Sequence, residues 1–537
     1  MKNKIIYVMT IVAMALPSGT LLAQNISDKC AYRFERLENK TPWIVSENGA
    51  GLVFNNALNF SNAEAYYGYQ DGDFKNFNEA AKYDNFGIQT KSYVKAKKVY
   101  FYGMFNYDYG IKHDQTWLGT IYPNATLNPI LDSVPGKVLR EDYILAGKVG
   151  YPINRALAVG IAFDYHTATA AKRTDGRNSN TLSKFSVSPG VTYSKGIFVM
   201  GLNLAYKHNV ERVDYDFIGD LTGKSIYYME GLWFTYKTGI TSTTITKRAY
   251  FTNIYGGAAQ LEIKGKDLNF FNQIKVDYNR ESDFEDESLL KRYAFTEGLK
   301  YDYKGLITYR GNIVDHNLSL VFSSDEQFAY NVVNNYEQIP DEINSWRYFE
   351  YGKTLRYIQQ VQHYGAEYKG YIKRNDCSWN SSWIFTLGTN YISVKKDYKI
   401  YPAKYHQDYT NTEIYADVNK NFKLKKKGFI DLNVGGSYTN GEGTMLEVSN
   451  PITTGSLLLN NTILKHDFAY QTADRAKVGV GAKYTRIINP EKGTTAYVGA
   501  NYNHQFLVND GNLSNILDGV LPGTYRYLIS VNIGLNF

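Results

Sequence analysis

Counting back from Phe537, the alternate residues Leu535, Ile533, Val531, Ile529, Tyr527 and Tyr525 are apolar or aromatic, while Asn536, Asn532, Ser530 and Arg526 are polar, with Gly534 between them. Successive side chains of a strand point to opposite faces, so this stretch needs an apolar phase on one side and water on the other. About ten residues suffice to cross a tilted barrel wall. The same phase precedes it. Ala496, Val498, Ala500, Tyr502 and Phe506 alternate with Tyr497, Gly499, Asn501, Asn503 and Gln505. Ala476, Val478, Val480, Ala482 and Tyr484 alternate with Lys477, Gly479, Gly481, Lys483 and Thr485. Ile430, Leu432, Val434 and Tyr438 alternate with Asp431, Asn433, Gly435 and Ser437. A soluble sandwich also alternates. Four such strands in a row, with glycine and charge on one face and a terminal aromatic residue, point to a hydrated lumen.

The N-terminus sets the compartment. Met1 to Lys4 form a basic segment, Ile5 to Leu16 an apolar one, and Leu21-Leu22-Ala23 precedes Gln24, so residues 1–23 read as a secretory signal peptide. No later run of about 18 apolar residues offers a helical span, which leaves an exported soluble protein or a barrel. The 49 tyrosines and 15% aromatic content suit strands. The net charge of +7 is too dispersed to point to nucleic acid.

Connection lengths give an independent test, because outer-membrane barrels alternate short turns with long loops. Short connections are expected at Lys95–Lys98, Asn154–Arg155, Lys195–Gly196, Lys264–Asp267, Tyr303–Gly305, Lys373–Asp376, Leu424–Gly428 and Asn489–Gly493. Interleaved with these eight are nine longer polar stretches, near 71–83, 110–141, 170–180, 211–247, 281–289, 324–356, 396–405, 441–466 and 508–523. The pattern predicts an all-β fold: a single transmembrane antiparallel β-barrel of about 18 strands, with 16 or 14 as alternatives. Short turns and both termini are periplasmic and long loops extracellular. The first strand is placed around Ala63–Gln70, and Ser225–Lys237 reads as strand or loop. Every short connection holds Lys or Arg, either because turns are polar or because these cations meet lipid head groups. A barrel this wide needs something to narrow it, and the candidates are Gln24–Phe60 and the loops 211–247 and 324–356, with Trp233, Trp346, Tyr348, Phe349 and Tyr351.

The signal, the alternating aromatic strands and the run Tyr525 to Phe537 resemble outer-membrane β-barrels of the Bacteroidota. The resemblance implies that the last strand, ending in Phe537, is the signal read by the barrel-assembly machinery. Asn48-Gly49-Ala50-Gly51-Leu52 is similar to the Asn-Pro-Ala-Gly-Leu of long-chain fatty-acid transporters, with Gly49 in place of proline. That resemblance implies a hatch made by residues 24–60, followed by the barrel over 61–537. A TonB-dependent receptor, with its plug of over a hundred residues and 22 strands, does not fit.

Catalytic patterns are lacking: no P-loop, GxSxG or HExxH occurs. No enzymatic activity, cofactor or metal is expected. His113, His166, His208, His406, His466 and His504 fall near predicted strand tops. His208, His466 and His504 share the lipid-facing phase, and His166 alone clearly points inward, so they do not converge on a metal and suit interfacial anchoring instead. Asp71-Gly72-Asp73 and Asp283 to Glu287 lack the spacing of a known cation loop.

The leading functional expectation is a passive or partner-assisted channel lined by Asp431, Asn433, Lys477, Lys483, Asn501, Asn503 and Arg526. The alternative is a non-conducting component that docks another envelope protein and has a filled lumen. In either case outer-membrane lipid is a partner and nucleic acid is not. The only two cysteines, Cys30 and Cys377, fall on the periplasmic side, where a disulfide persists. They read either as a bridge tethering the N-terminal segment or as two unrelated thiols.

Overall fold

The computed structural model describes residue 38 and residues 41–537, except 56–58, 123, 245, 289, 341, 343, 375–376, 401–404, 425–427, 447–456, 460, 491–492 and 510–521. Among these residues twenty-two strands run in chain order. Eighteen form a barrel: β1 (Phe60–Gly72), β2 (Lys82–Ala96), β3 (Val99–Gln115), β5 (Gly136–Pro152), β6 (Leu157–Lys172), β7 (Arg177–Lys195), β8 (Phe198–Asp216), β11 (Lys247–Lys264), β12 (Leu268–Asp286), β13 (Lys291–Arg310), β14 (Val314–Gln338), β15 (Trp346–Arg374), β16 (Cys377–Tyr398), β17 (Tyr405–Leu424), β18 (Gly428–Leu446), β20 (Asp474–Asn489), β21 (Thr494–Asn509) and β22 (Tyr525–Asn536). The other four, β4 (Ile130–Leu131), β9 (Ser225–Met229), β10 (Phe234–Gly239) and β19 (Leu457–Leu459), make a second small sheet. Each barrel strand pairs antiparallel with the next, and β22 pairs with β1 from Asn62↔Asn536 to Gly72↔Arg526, closing the wall. Closure leaves no barrel edge unpaired, a condition for a sheet surrounded by lipid.

Alternation decides which face is which. Leu204, Ile274, Val434 and Ile533 are 66%, 60%, 62% and 63% exposed. The side chains between them face inward, so the apolar surface is on the outside and the polar one inside, the reverse of a soluble protein. The fold is therefore a transmembrane β-barrel of 18 strands, and 16 and 14 are excluded.

Seven of the eight short connections fall where expected. The eighth does not, because Tyr303–Gly305 lies inside β13 and the chain reverses at 311–313. Asp302, beside it, points into the lumen 3.9 Å from Lys275. Lumen-facing charges and a glycine in mid-strand have the composition of a turn. The stretches 170–180 and 281–289 are mostly strand, leaving four-residue connections at 173–176 and 287–290. The stretch 324–356 is not a constriction. It is the top of the β14–β15 hairpin, which continues past the last partners of its neighbours, Asn331 with β13 and Tyr357 with β16. Residues 332–338, at about 3.4 Å each, stand clear of the rim, with Trp346 and Tyr351 exposed. Ser225–Lys237 forms β9 and the start of β10, inside the barrel rather than in its wall.

Candidate functional site

The lumen is narrowed at two levels. At the short-turn end sits the N-terminal segment, a single helical turn α1 (Pro42–Val45) and a 3-10 turn at Gly49–Phe54. Trp43, Ile44 and Leu52 are buried, which contributes roughly 2 kcal/mol each. Trp43 packs edge-on against Phe271 at 5.2 Å and donates its indole N–H to Glu262 at 2.6 Å. Asn48 is fully buried. Its amide donates to Val191 O, Leu202 O and Gln260 Oε1 at 3.1, 3.3 and 3.0 Å, while its own Oδ1 accepts from Ala50 N at 3.0 Å. Lys148 donates to the carbonyls of Ile44 and Ser46, and Lys275 pairs with Glu47 at 2.7 Å.

This close seat depends on glycine. Gly150, Gly160 and Gly190 lie directly opposite one another on β5, β6 and β7. A Cβ on Gly150 would come within 2.8 Å of Gly49 O, on Gly160 it would strike Ala50 N, and on Gly190 it would strike Asn48 Oδ1. Gly201 on β8 extends the bed, its added Cβ meeting Gln260 Oε1 at 2.6 Å. The sequence signal was present, glycine on each of four consecutive strands, but only the register makes it a surface.

At the long-loop end the described parts of three connections, within 116–135, 217–246 and 457–473, fold inward as the sheet β19–β10–β9–β4 with α2 (Asn461–Thr472) beside it. One apolar cluster joins Leu131, Trp233, Phe234 and Leu464 to Tyr357, Tyr398 and Tyr405 of the wall, and a second joins Ile130 and Ile226 to Val213 and Tyr250. The plug thus reaches walls on both sides. Arg356, 1% exposed, donates to Asn128 and Asn331 and lies 3.8 Å from Glu230. On α2, Asp467 accepts from Asn76 at 2.7 Å and lies 3.6 Å from Lys396, and His466 contacts Lys75 O at 3.2 Å. Burial holds the His466 imidazole below its ordinary 6.5, and the Lys75 ammonium adds to this.

Between the plugs, the wall opposite the glycine bed holds a chain of polar cavities. One of about 260 Å³ is lined by Lys369, Asp417, Asp431, Asn433, Lys483 and Asn501, among others. A second of about 350 Å³ adjoins it through Asp417 and Asn433 and reaches Lys477 and Asn503. A third, about 470 Å³, shares Lys477 and Glu413 with the second and ends beneath Tyr470 of α2. Six of the seven predicted lumen residues line these spaces. Arg526 faces inward but is bound to Glu79 at 2.7 Å, holding the 73–81 connection. Asn390, Asn411, Glu413 and Arg475 were missed. The alternation of Asn411, Glu413, Tyr415 and Asp417 with Thr412, Ile414, Ala416 and Val418 was the available signal.

Of the histidines, His166 points inward to Asp142 at 2.9 Å and Tyr122 at 3.0 Å. His504 stacks on Tyr525 outside, 6.0 Å between ring centres. His466 is on a helix in the lumen, not on a lipid-facing strand. Cys30 lies outside the described residues, as does the side chain of Cys377.

An 18-strand barrel with an apolar belt and a plugged polar lumen defines the class of outer-membrane β-barrels. The chain belongs to the family described as "Family of unknown function (DUF6850)", whose model matches residues 49–537. No curated protein matches it. Among solved structures it is similar to the outer-membrane transporter YddB from Escherichia coli, with TM-score 0.39 and 8% identity over 88% of this chain and 80% of that one. It is also similar to BauA, the ferric preacinetobactin receptor from Acinetobacter baumannii, with TM-score 0.39 and 10% identity over 89% and 80%.

Proposed function

We propose that the protein is a gated outer-membrane channel or transporter for a hydrophilic solute, with no enzymatic role. Residues 1–23 direct export, both termini and the short turns are periplasmic, and the C-terminal strand ending in Phe537 engages the barrel-assembly machinery. The observation that carries this reading is the continuous row of polar cavities along β15 to β22, which the two plugs leave uncovered. A purely structural barrel has no need of a hydrated wall between its plugs. The lining is amide and charge, which favours a hydrophilic solute over a fatty acyl chain, although the lumenal position of Asn48–Leu52 parallels the hatch of that transporter type. The N-terminal segment, seated on the glycine bed by Trp43, Leu52 and the Asn48 amide, is the element whose displacement would open the short-turn end.

A filled lumen also favours a second reading, a non-conducting component that docks another envelope protein. Single-channel recording in planar lipid separates the two. Three forms are compared: the mature protein, a variant lacking 24–55, and that variant with 447–473 also replaced by a Gly/Ser linker. Stepwise conductance in either truncated form supports the channel. Silence in all three favours the docking component.

A further inference from the structure

We propose that the cavity beneath α2 is a binding site for solutes carrying both a carboxylate and an ammonium group, the chemistry of free amino acids and short unblocked peptides. Strand register places the charges. Glu413 on β17 lies opposite Thr439 on β18, and Thr439 lies opposite Arg475 on β20. Lys477, two residues further along β20, lies opposite Ser437. An anionic strand and a cationic strand are therefore held two strand spacings apart, about 10 Å, with only hydroxyls between.

Opposite charges at this range would be expected to pair, and they do not. Glu413 accepts from Asn390 Nδ2 at 3.0 Å, and Asn390 in turn contacts His363 at 3.1 Å, which fixes the carboxylate on its own side. Arg475 is held by α2, its guanidinium 5.9 Å from the centre of the Tyr470 ring. Among the described residues neither Glu413, Arg475 nor Lys477 forms an ion pair, yet all three line one space of about 470 Å³. Asn411, which also lines this cavity, is only 7% exposed and its Oδ1 has no hydrogen-bond partner. A buried polar atom left unmatched is costly unless something arrives to match it.

A simple anion entering this space meets Glu413, and a simple cation meets Arg475 and Lys477. A molecule with its carboxylate towards β20 and its ammonium towards β17 satisfies both. The intervening amide N–H of a peptide passes over β18, where the Ser437 and Thr439 hydroxyls can accept it. This rests on the channel reading for its place on the solute path, but the site is measured without conduction.

Isothermal titration calorimetry on the full mature protein in detergent micelles tests it with four probes: trialanine, its N-acetyl form, its C-terminal amide and the doubly blocked form. Free trialanine is expected to bind, each single block to weaken it several-fold, and the double block at least tenfold. Lys477→Gln combined with Arg475→Gln should abolish discrimination at the carboxyl end, and Glu413→Gln at the amino end. Equal binding of free and doubly blocked trialanine, or no binding of any probe at tens of millimolar, overturns the proposal with no variant needed. Binding by a protein that never conducts would overturn the channel and leave this site standing. Conductance without binding would do the reverse.

Discussion

Gly160 of β6 lies so close beneath Ala50 that a methyl group on its Cα would strike the Ala50 backbone nitrogen. Its flanking residues Val159 and Ile161 face outward and are exposed to the lipid side, so a substitution here acts on the lumen alone. Gly160→Val keeps a residue type that suits strands but overpacks the seat, at a cost of about 1–3 kcal/mol. The N-terminal segment should lift off while the barrel stays closed. Proteinase K in detergent is expected to cut the variant within 41–55 faster than the parent, with the heat-modifiable mobility of the barrel on gels unchanged. Equal cleavage would show that the seat does not hold the segment.

Arg356 has a comparable role at the other end. A register shift in the β14–β15 ladder leaves it unpaired between Leu355 and Tyr357, and the bulge lets both Arg356 and Tyr357 be buried. Its guanidinium joins Asn128 of one inward connection to Asn331 of the wall, near Glu230 of another. Arg356→Met removes the cation and leaves Glu230 and both amides in a desolvated site, a loss of about 3–5 kcal/mol for a broken buried pair. Hydrogen exchange should rise across 124–135 and 225–239, with the wall strands β18 to β22 unaffected. A uniform rise would instead mean that the barrel itself depends on this residue.

Where lipid meets one face and water the other, the sequence is legible. The phase of β18, β20, β21 and β22 could be read directly, and it identified Asp431, Lys477 and Asn501 as inward. The signal fades wherever both faces meet water. Residues 332–338 and 346–353 stand beyond the rim, lose their alternation and read as a loop. The inner sheet was legible only as the strand-or-loop stretch Ser225–Lys237, for a different reason: Ile226, Phe234 and Leu457 to Leu459 are short apolar runs inside polar connections, and the pairing that joins β9 and β10 to β4 and β19 spans distant parts of the sequence. His466 shows the limit of counting parity, because the count assumed a strand and the chain forms α2. The cavity residues Glu413 and Asn411 follow the alternation of β17, but which walls remain uncovered depends on where the two plugs sit.

The docking of α2 should weaken in acid. His466 is buried against Lys75 O and the Phe77 ring, with Lys75 and Asp467 as the charged neighbours. Its folded-state pKa lies below 6.5 because of that burial. The undocked chain therefore takes up the proton first. The stabilising contribution is complete above about pH 6.5 and declines as the pH falls from there towards the folded-state value. Exchange protection of 463–472 is expected to drop between pH 7.5 and pH 5 in the parent. In His466→Gln that part of the drop should vanish, and an identical pH profile in the two proteins would assign the effect to other groups.

Asn48 separates a hydrogen-bonding role from a space-filling one. Its Nδ2 group points at three acceptors, Val191 O, Leu202 O and Gln260 Oε1, in a fully buried position. Asn48→Asp keeps the shape but turns the donors into acceptors facing carbonyl oxygens. Asn48→Ala only leaves those acceptors unmatched, at a cost of about 1–3 kcal/mol, whereas a buried charge costs more. The aspartate should therefore release the N-terminal segment more completely than the alanine at neutral pH. Acidification should narrow the gap, because a protonated carboxyl regains one donor for Val191 or Gln260. Protease sensitivity within 41–55, measured at pH 7.5 and pH 4.5, reads both effects. If alanine releases the segment as fully as aspartate at neutral pH, the hydrogen bonds of Asn48 are not what holds the segment in the lumen, and the glycine bed with Trp43 and Leu52 does so alone.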